Sequence, residues 1–111
     1  MIVTILEKDS HAVIEVDGAL TIETAIDLKT KALKLKKVYS TLIIDLLGVE
    51  FIDSSGIGAL ALINNKYKAK DGQMILTNIN EDISLVFSIT RAYDIFDFYD
   101  SVENAEEQLA V

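Results

Sequence analysis

The sequence predicts an α/β protein with one mixed β-sheet of about four to five strands, covered by about four helices mainly on one face. Two short apolar runs near the N-terminus, separated by a polar break, are typical of an antiparallel hairpin. After them, strand-like and helix-like patterns alternate, which is typical of parallel strands joined by helical crossovers. Half of the 111 residues are hydrophobic and none is proline, so we expect one domain over residues 1–111 with short connections.

The hairpin and the first helix occupy the start of the chain. Val3–Leu6 and Ala12–Val16 are the predicted hairpin strands, and the pair Asp17-Gly18 is expected to end the second strand. From Thr24 onward apolar residues recur every three or four positions. Lysines between positions 29 and 37 fill the other face and the last turns, which predicts an amphipathic helix. This basic run is a solvated helix face or, alternatively, a surface for an acidic partner.

The middle of the chain predicts a buried strand followed by a buried helix. Leu42–Leu46 is a nearly continuous apolar run, which is typical of a strand covered on both faces. Residues 48–53 are expected to form a polar break after this strand. Residues 54–70 follow a helical pattern that is apolar almost all the way round at its start, and the pair Asp71-Gly72 closes it.

The last third predicts a strand, a helix, a short edge strand and a final helix. Met74–Thr77 is the strand, the next helix places Ile83 and Phe87 inward, and 95–99 is the edge strand. The final helix runs to about Leu109. The aromatic residues of this region are Tyr93, Phe96, Phe98 and Tyr99. We assign them to core and edge packing, and the alternative is a surface for a partner.

Composition excludes several classes of site. The chain has no cysteine, which excludes disulfides and thiolate metal or redox sites. Its single histidine, His11, argues against multi-histidine metal sites and a Ser-His-Asp triad. We expect His11 at the surface of the hairpin. The longest strongly apolar run, Ile57–Ile63, is far shorter than the ~20 residues that cross a bilayer. The N-terminus does not resemble a secretory signal, so we expect a cytoplasmic protein without membrane insertion.

Charge disfavours nucleic acid as a direct partner. The formal net charge is −8, whereas a nucleic-acid binder normally carries a basic stripe. Residues 81–111 contain eight acidic residues and one basic residue, Arg91, for a net charge of −7. This acidic third is a solvated helix face with a terminal tail or, alternatively, a docking surface for a basic partner.

The most informative stretch is Asp53-Ser54-Ser55-Gly56-Ile57-Gly58, at the predicted start of the buried helix. Aspartate and serine are favoured helix caps, and glycines allow close approach of another backbone. A helix N-terminus also tolerates an added anion, so a serine there can accept a phosphate. The pattern lacks a Walker A lysine, a third nucleotide-loop glycine and a Gly-x-Ser-x-Gly elbow. Ordinary capping and a modifiable partner surface therefore both remain open.

The segment from Phe51 to Gly58 resembles the signature of anti-sigma factor antagonists in the STAS domain family. Three other segments are similar to that family: Leu42–Leu46 before the signature, Lys70–Met74 at a turn into a strand, and 95–99 near the C-terminus. Gly18-Ala19-Leu20-Thr21 lies where the family has a Gly-x-Leu/Ile-Asp turn. The resemblance spans essentially the whole chain and implies a single STAS domain.

The resemblance implies a switch protein, not an enzyme. Such proteins bind an anti-sigma factor that is also a serine kinase. The unphosphorylated form captures this kinase, and a sigma factor is thereby released. The resemblance places the phosphate on Ser55, the serine immediately before Gly56, and a serine phosphatase reverses the reaction. It implies partner contacts at Gly18, Thr21, Asp53, Ser54, Ser55, Gly56 and Gly58. ATP belongs to the kinase, so we expect this chain to have no cofactor and no metal.

One residue departs from the family pattern. Many phosphorylated members carry an aspartate where this chain has Thr21, and threonine supplies no charge at that turn. The alternative function is therefore a STAS scaffold or accessory subunit of a signalling complex or lipid transporter. A small hydrolase using Asp53 and Ser55 lacks a recognisable base.

Overall fold

Five strands and four helices alternate along the computed structural model, which describes residues 2–110. The elements are β1 (Ile2–Glu7), β2 (Ala12–Leu20), α1 (Ile22–Leu35), β3 (Thr41–Ile52), α2 (Ser54–Lys68), β4 (Gln73–Thr77), α3 (Glu81–Ile89), a 3-10 turn (Ala92–Asp94), β5 (Asp97–Tyr99) and α4 (Val102–Leu109). The predicted mixed sheet and its helical cover are confirmed.

The strands form one sheet in the order β1-β2-β3-β4-β5. β1 pairs antiparallel with β2, and every later pair is parallel. The hairpin and the helical crossovers predicted from the sequence therefore both occur. As a consequence, β2, β3 and β4 point their C-terminal ends to the same edge of the sheet.

Alternating side chains of the strands form two apolar layers. The larger layer contains Ile14, Ile44 and Leu76, and it packs against helices α1, α2 and α3. The smaller layer contains Val13, Ile43 and Ile75, and it packs against Ala105 of α4. Three helices thus cover one face and a single short helix covers the other, as the pattern predicts. No helix between residues 2 and 110 has the length and apolar character needed to cross a membrane.

Strands β2 and β3 extend beyond their predicted ends. The Asp17-Gly18 pair does not end β2, and residues 48–52 belong to β3 and do not form a polar break. The two strands stay paired through irregular register up to Leu20 and Ile52. Gly18 has φ 101°, which a β-carbon would disfavour, and this glycine lets β2 pass the irregularity. Pairing between distant segments therefore overrides the local turn signals.

Two other boundaries differ from the sequence prediction. Helix α1 begins at Ile22, two residues before the predicted start at Thr24, and Thr21 is its N-cap. The last strand contains only Asp97–Tyr99, because the chain before it forms the 3-10 turn.

The prediction that His11 lies at the surface is wrong. Its side chain is buried, and its Nε2 lies 2.7 Å from Oε2 of Glu106 on α4. Its Nδ1 lies 3.0 Å from the hydroxyl of Ser10. The imidazole therefore joins the hairpin to α4.

Candidate functional site

The two central parallel strands end side by side, and each leads directly into a helix. Leu20 of β2 pairs with Ile52 of β3 at the last position of their shared register. The next residues, Thr21 and Asp53, are the N-caps of α1 and α2. Two helices therefore begin at one edge of the sheet. The free N–H groups and the dipoles of their N-termini favour a negative charge there.

Asp53 holds this edge together. Its Oδ1 accepts a hydrogen bond from the N–H of Gly56 at 3.0 Å. Its own N–H donates to the carbonyl of Leu20 at 3.3 Å, which ties the start of α2 to the end of β2. The aspartate of the sequence motif thus caps the helix, as its residue type predicts.

Ser54 and Ser55 are the first two residues of α2. Ser54 is exposed and Ser55 is half-buried, so the hydroxyl expected to accept a phosphate is the less exposed of the two. The N–H groups of a first helical turn lack acceptors within their helix, and they can hydrogen-bond a phosphate on an adjacent serine. A phosphate on either serine would lie at this helix N-terminus.

The two glycines of the motif have different surroundings. Gly56 is buried, and a Cβ there would lie 2.4 Å from the carbonyl oxygen of Leu20. The sequence predicts that a partner's backbone approaches this glycine, but the chain's own β2 occupies that space. Gly58 is exposed, and an added Cβ would meet no atom within 4 Å. Of the two, Gly58 has the surface that a partner could contact.

Thr21 and Gly18 lie on the neighbouring turn. The N–H of Thr21 donates to Oγ1 of Thr24 at 2.9 Å, and that hydroxyl donates to the carbonyl of Ala19 at 2.8 Å. Thr24 is the third residue of α1, and its hydroxyl accepts the hydrogen bond of the N-cap N–H, as in a capping box. Thr21 is half-buried and adds no charge beside Asp53, and Gly18 is half-buried in the irregular part of β2.

The family follows from a comparison of the whole chain with known domains. A family model described as "STAS domain" matches residues 3–105. The chain belongs to the STAS domain family. Its resemblance to that family is therefore confirmed over nearly its full length.

Solved structures share this fold. The TM1081 protein of Thermotoga maritima, named as a candidate anti-sigma factor antagonist, has a TM-score of 0.90 at 25% identity, covering 98% of this chain and 95% of that one. An anti-sigma factor antagonist from Mycobacterium paratuberculosis has a TM-score of 0.88 at 22% identity, covering 99% and 94%. The phosphorylated form of SpoIIAA from Bacillus has a TM-score of 0.76 at 20% identity, covering 97% and 99%.

Apolar side chains beside the two caps were not predicted as part of this STAS site. Ile22, which follows the Thr21 cap, is 65% exposed, and Phe51, two residues before Asp53, is 55% exposed. Ile26 is also exposed, one turn after Ile22. A helical projection could have found these two isoleucines, because they lie outside the buried stripe that contains Ala25 and Leu28. The edge therefore combines capping polar groups with exposed apolar surface.

Proposed function

We propose that this STAS domain is an anti-sigma factor antagonist that binds an anti-sigma factor with serine kinase activity. The unphosphorylated form binds the kinase and releases a sigma factor, and phosphorylation of Ser55 weakens the complex. The observation that carries the proposal is the placement of Ser54 and Ser55 in the first turn of α2, beside the Asp53 cap. The fold it shares with SpoIIAA, a protein solved in unphosphorylated and phosphorylated forms, supports the same proposal.

The binding surface is the sheet edge where α1 and α2 begin. Ile22 and Phe51 supply apolar area, and the polar residues around them supply orientation. Gly58 leaves room for a partner's backbone on the exposed side of α2. Thr21 contributes a neutral contact, so we expect this partner to lack the cation that would face an aspartate at that position.

Phosphorylation opposes binding through charge. A phosphate adds about −1.5 to −2 charges at neutral pH. It would lie close to Asp53, on a chain whose net charge is already −8. A close interface excludes the water that screens like charges. A change of ~1–3 kcal/mol in binding free energy corresponds to about 5–150-fold in affinity, which is sufficient for a switch.

The chain acts as a binding protein in the cytoplasm and not as an enzyme. The kinase supplies ATP and the catalytic groups, and a serine phosphatase restores the free hydroxyl. Within residues 2–110, no group of histidine, aspartate or glutamate side chains is arranged to hold a metal ion.

Phosphorylation and affinity measured on the same variants test this function. The tagged chain is purified from source cells with and without ATP, and the ATPase that co-purifies is identified and used as the kinase. Mass spectrometry then locates the phosphate in the parent, Ser55→Ala and Ser54→Ala chains. We expect Ser55→Ala to resist phosphorylation and to stay bound, and Ser54→Ala to behave as the parent.

Ser55→Asp completes the test. It should stay folded and bind at least fivefold more weakly, since one carboxylate imitates part of the phosphate charge. Phosphate on Ser54 alone, or Ser55→Asp binding as tightly as the parent, would contradict the assignment. Co-purification with a transporter ATPase would favour an accessory subunit instead.

A further inference from the structure

Helix α4 covers only part of its face of the sheet. Val13, Ile43 and Ile75 lie beneath it and pack against Ala105. Two residues further along the same three strands, the side chains of that face are Glu15, Asp45 and Thr77, which are neighbours in register. A groove of about 430 Å³ opens there between the sheet, β1 and the start of α4. It lies on the face opposite α2 and its serines.

The groove holds more negative than positive charge. Glu15 and Asp45 are neighbours in register on the parallel strands β2 and β3, so their like charges repel each other. Glu103 and Glu106 of α4 line the opposite wall, and Lys8 is the cationic residue of the lining. Glu106 is engaged with His11, so Glu15, Asp45 and Glu103 remain to attract a cation.

Asp45 is fixed in place at the base of this groove. Asp45 is only 6% exposed. Its Oδ1 accepts hydrogen bonds from Nδ2 of Asn78 at 2.9 Å, from Oγ1 of Thr77 at 3.3 Å and from the N–H of Leu47 at 3.3 Å. All three of these bonds end on the same oxygen. The second oxygen, Oδ2, therefore has capacity for a donor from outside the chain.

Apolar side chains flank the carboxylates. Leu47, on the central strand β3, is 69% exposed, and Leu6 of the edge strand β1 is exposed as well. Both line the groove together with Val13 and Val102. An exposed leucine on a central strand leaves apolar area that another chain can cover.

We propose that this groove binds a segment of a partner protein in which a lysine or arginine is flanked by an apolar residue. The cation would lie between the carboxylates of Glu15 and Asp45, and the apolar residue would cover Leu47. Charge complementarity selects this occupant, because an acidic segment or a nucleic acid would be repelled by the same carboxylates. The site does not depend on Ser55 and can be occupied in either state of the proposed switch.

Selection of displayed random twelve-residue peptides on the intact, immobilised chain tests the groove. We expect enriched peptides to carry lysine or arginine beside an apolar residue. Glu15→Lys should weaken their binding at least tenfold, because it places a cation where the lysine or arginine of the peptide is expected to lie. The matched control is Glu107→Lys, an exposed position on α4 outside the lining, which should leave the affinity within about twofold.

Further variants keep the result interpretable. Glu15→Gln removes the charge with little change of shape and should weaken binding about threefold or more, and a thermal melt checks that each variant is folded. Ser55→Asp should bind the same peptides as the parent, which separates this test from that of the proposed function. Enrichment without basic residues, or equal losses for Glu15→Lys and Glu107→Lys, would overturn the proposal. Self-association of the free chain that Glu15→Lys abolishes would also overturn it, since the occupant would then be a second copy.

Discussion

Two glycines separated by a single residue in α2 are expected to respond in opposite ways to the same substitution. Gly56→Ala places a Cβ 2.4 Å from the backbone carbonyl of Leu20, and backbone cannot move aside as a flexible side chain can. We expect the free energy of unfolding to fall by about 1–3 kcal/mol. Gly58→Ala meets no atom within 4 Å, and it should raise the free energy of unfolding by about 0.5–1 kcal/mol. Urea unfolding of both variants measures the difference.

The same pair separates a structural from a functional role. If Gly58 lies in the interface, Gly58→Ala should weaken partner binding although the protein becomes more stable. Equal stability losses at the two positions would contradict the packing described for Gly56.

At the scale of elements, a buried hydroxyl joins α2 to α1. The hydroxyl of Tyr67 donates to the carbonyl of Ala32 at 2.7 Å, and the side chain is fully buried. Burial raises the pKa of Tyr67. In the unfolded chain the pKa of a tyrosine is ~10. Above that pH the unfolded state loses a proton that the folded state keeps, so the free energy of unfolding falls as pH rises.

Tyr67→Phe is expected to remove both the bond and this pH dependence. At neutral pH the variant should be about 1 kcal/mol less stable than the parent. Above pH ~10 the difference should shrink by up to about 1.4 kcal/mol per pH unit, because only the parent has this group to titrate. Denaturant melts between neutral pH and pH ~11 measure it, with Tyr99→Phe at an exposed position as the control. A difference independent of pH would contradict the argument.

The elements that the sequence predicts are those whose signals are local. The apolar periodicity of α1 and the continuous run of Leu42–Leu46 identify a helix and a buried strand without knowledge of their neighbours. The C-terminal halves of β2 and β3 could not be predicted in this way. Their polar residues and glycines resemble turns, and they are strands because they pair with each other across about 30 residues of sequence.

The candidate functional site could also be predicted from the sequence only in part. Capping by Asp53 and the position of the two serines follow from residue types at a strand-to-helix junction. The burial of Gly56 against Leu20 depends on a contact between segments 36 positions apart. His11 is buried because Glu106, 95 positions away, reaches it from α4. No local pattern contains either of these contacts.

At the scale of the whole molecule, most of the lysines lie away from the proposed switch. Helices α1 and α2 begin at the same edge, so their last turns lie together at the opposite end of the sheet. Six lysines follow or occupy those turns: Lys34, Lys36, Lys37, Lys66, Lys68 and Lys70. Cations at helix C-termini interact favourably with the helix dipole. The positive charge of the chain is therefore concentrated locally, while the C-terminal third carries much of the excess negative charge.

This distribution predicts that salt stabilises the fold. The net charge is −8, and three ion pairs occur among residues 2–110: His11–Glu106, Lys31–Asp27 and Arg91–Asp94. Arg91 and Asp94 are largely exposed, as is Asp27 to a lesser degree, so these pairs contribute little. Repulsion among the excess carboxylates acts over the whole molecule, whose extents are 33 × 25 × 24 Å. The screening length is about 30 Å at 0.01 M salt and about 8 Å at 0.15 M.

We therefore expect the melting temperature to rise between these two concentrations of sodium chloride. A gain on the order of 1 kcal/mol corresponds to roughly 4 °C for a domain of this size. The triple variant Glu81→Gln, Asp82→Asn and Glu107→Gln, at exposed positions, removes three negative charges and should show a smaller rise. Chloride is chosen because sulfate stabilises proteins by exclusion from their surface. A fall in melting temperature would mean that attractive pairs outweigh the repulsion. Salt weakens both contributions, so the larger of the two sets the sign of the change.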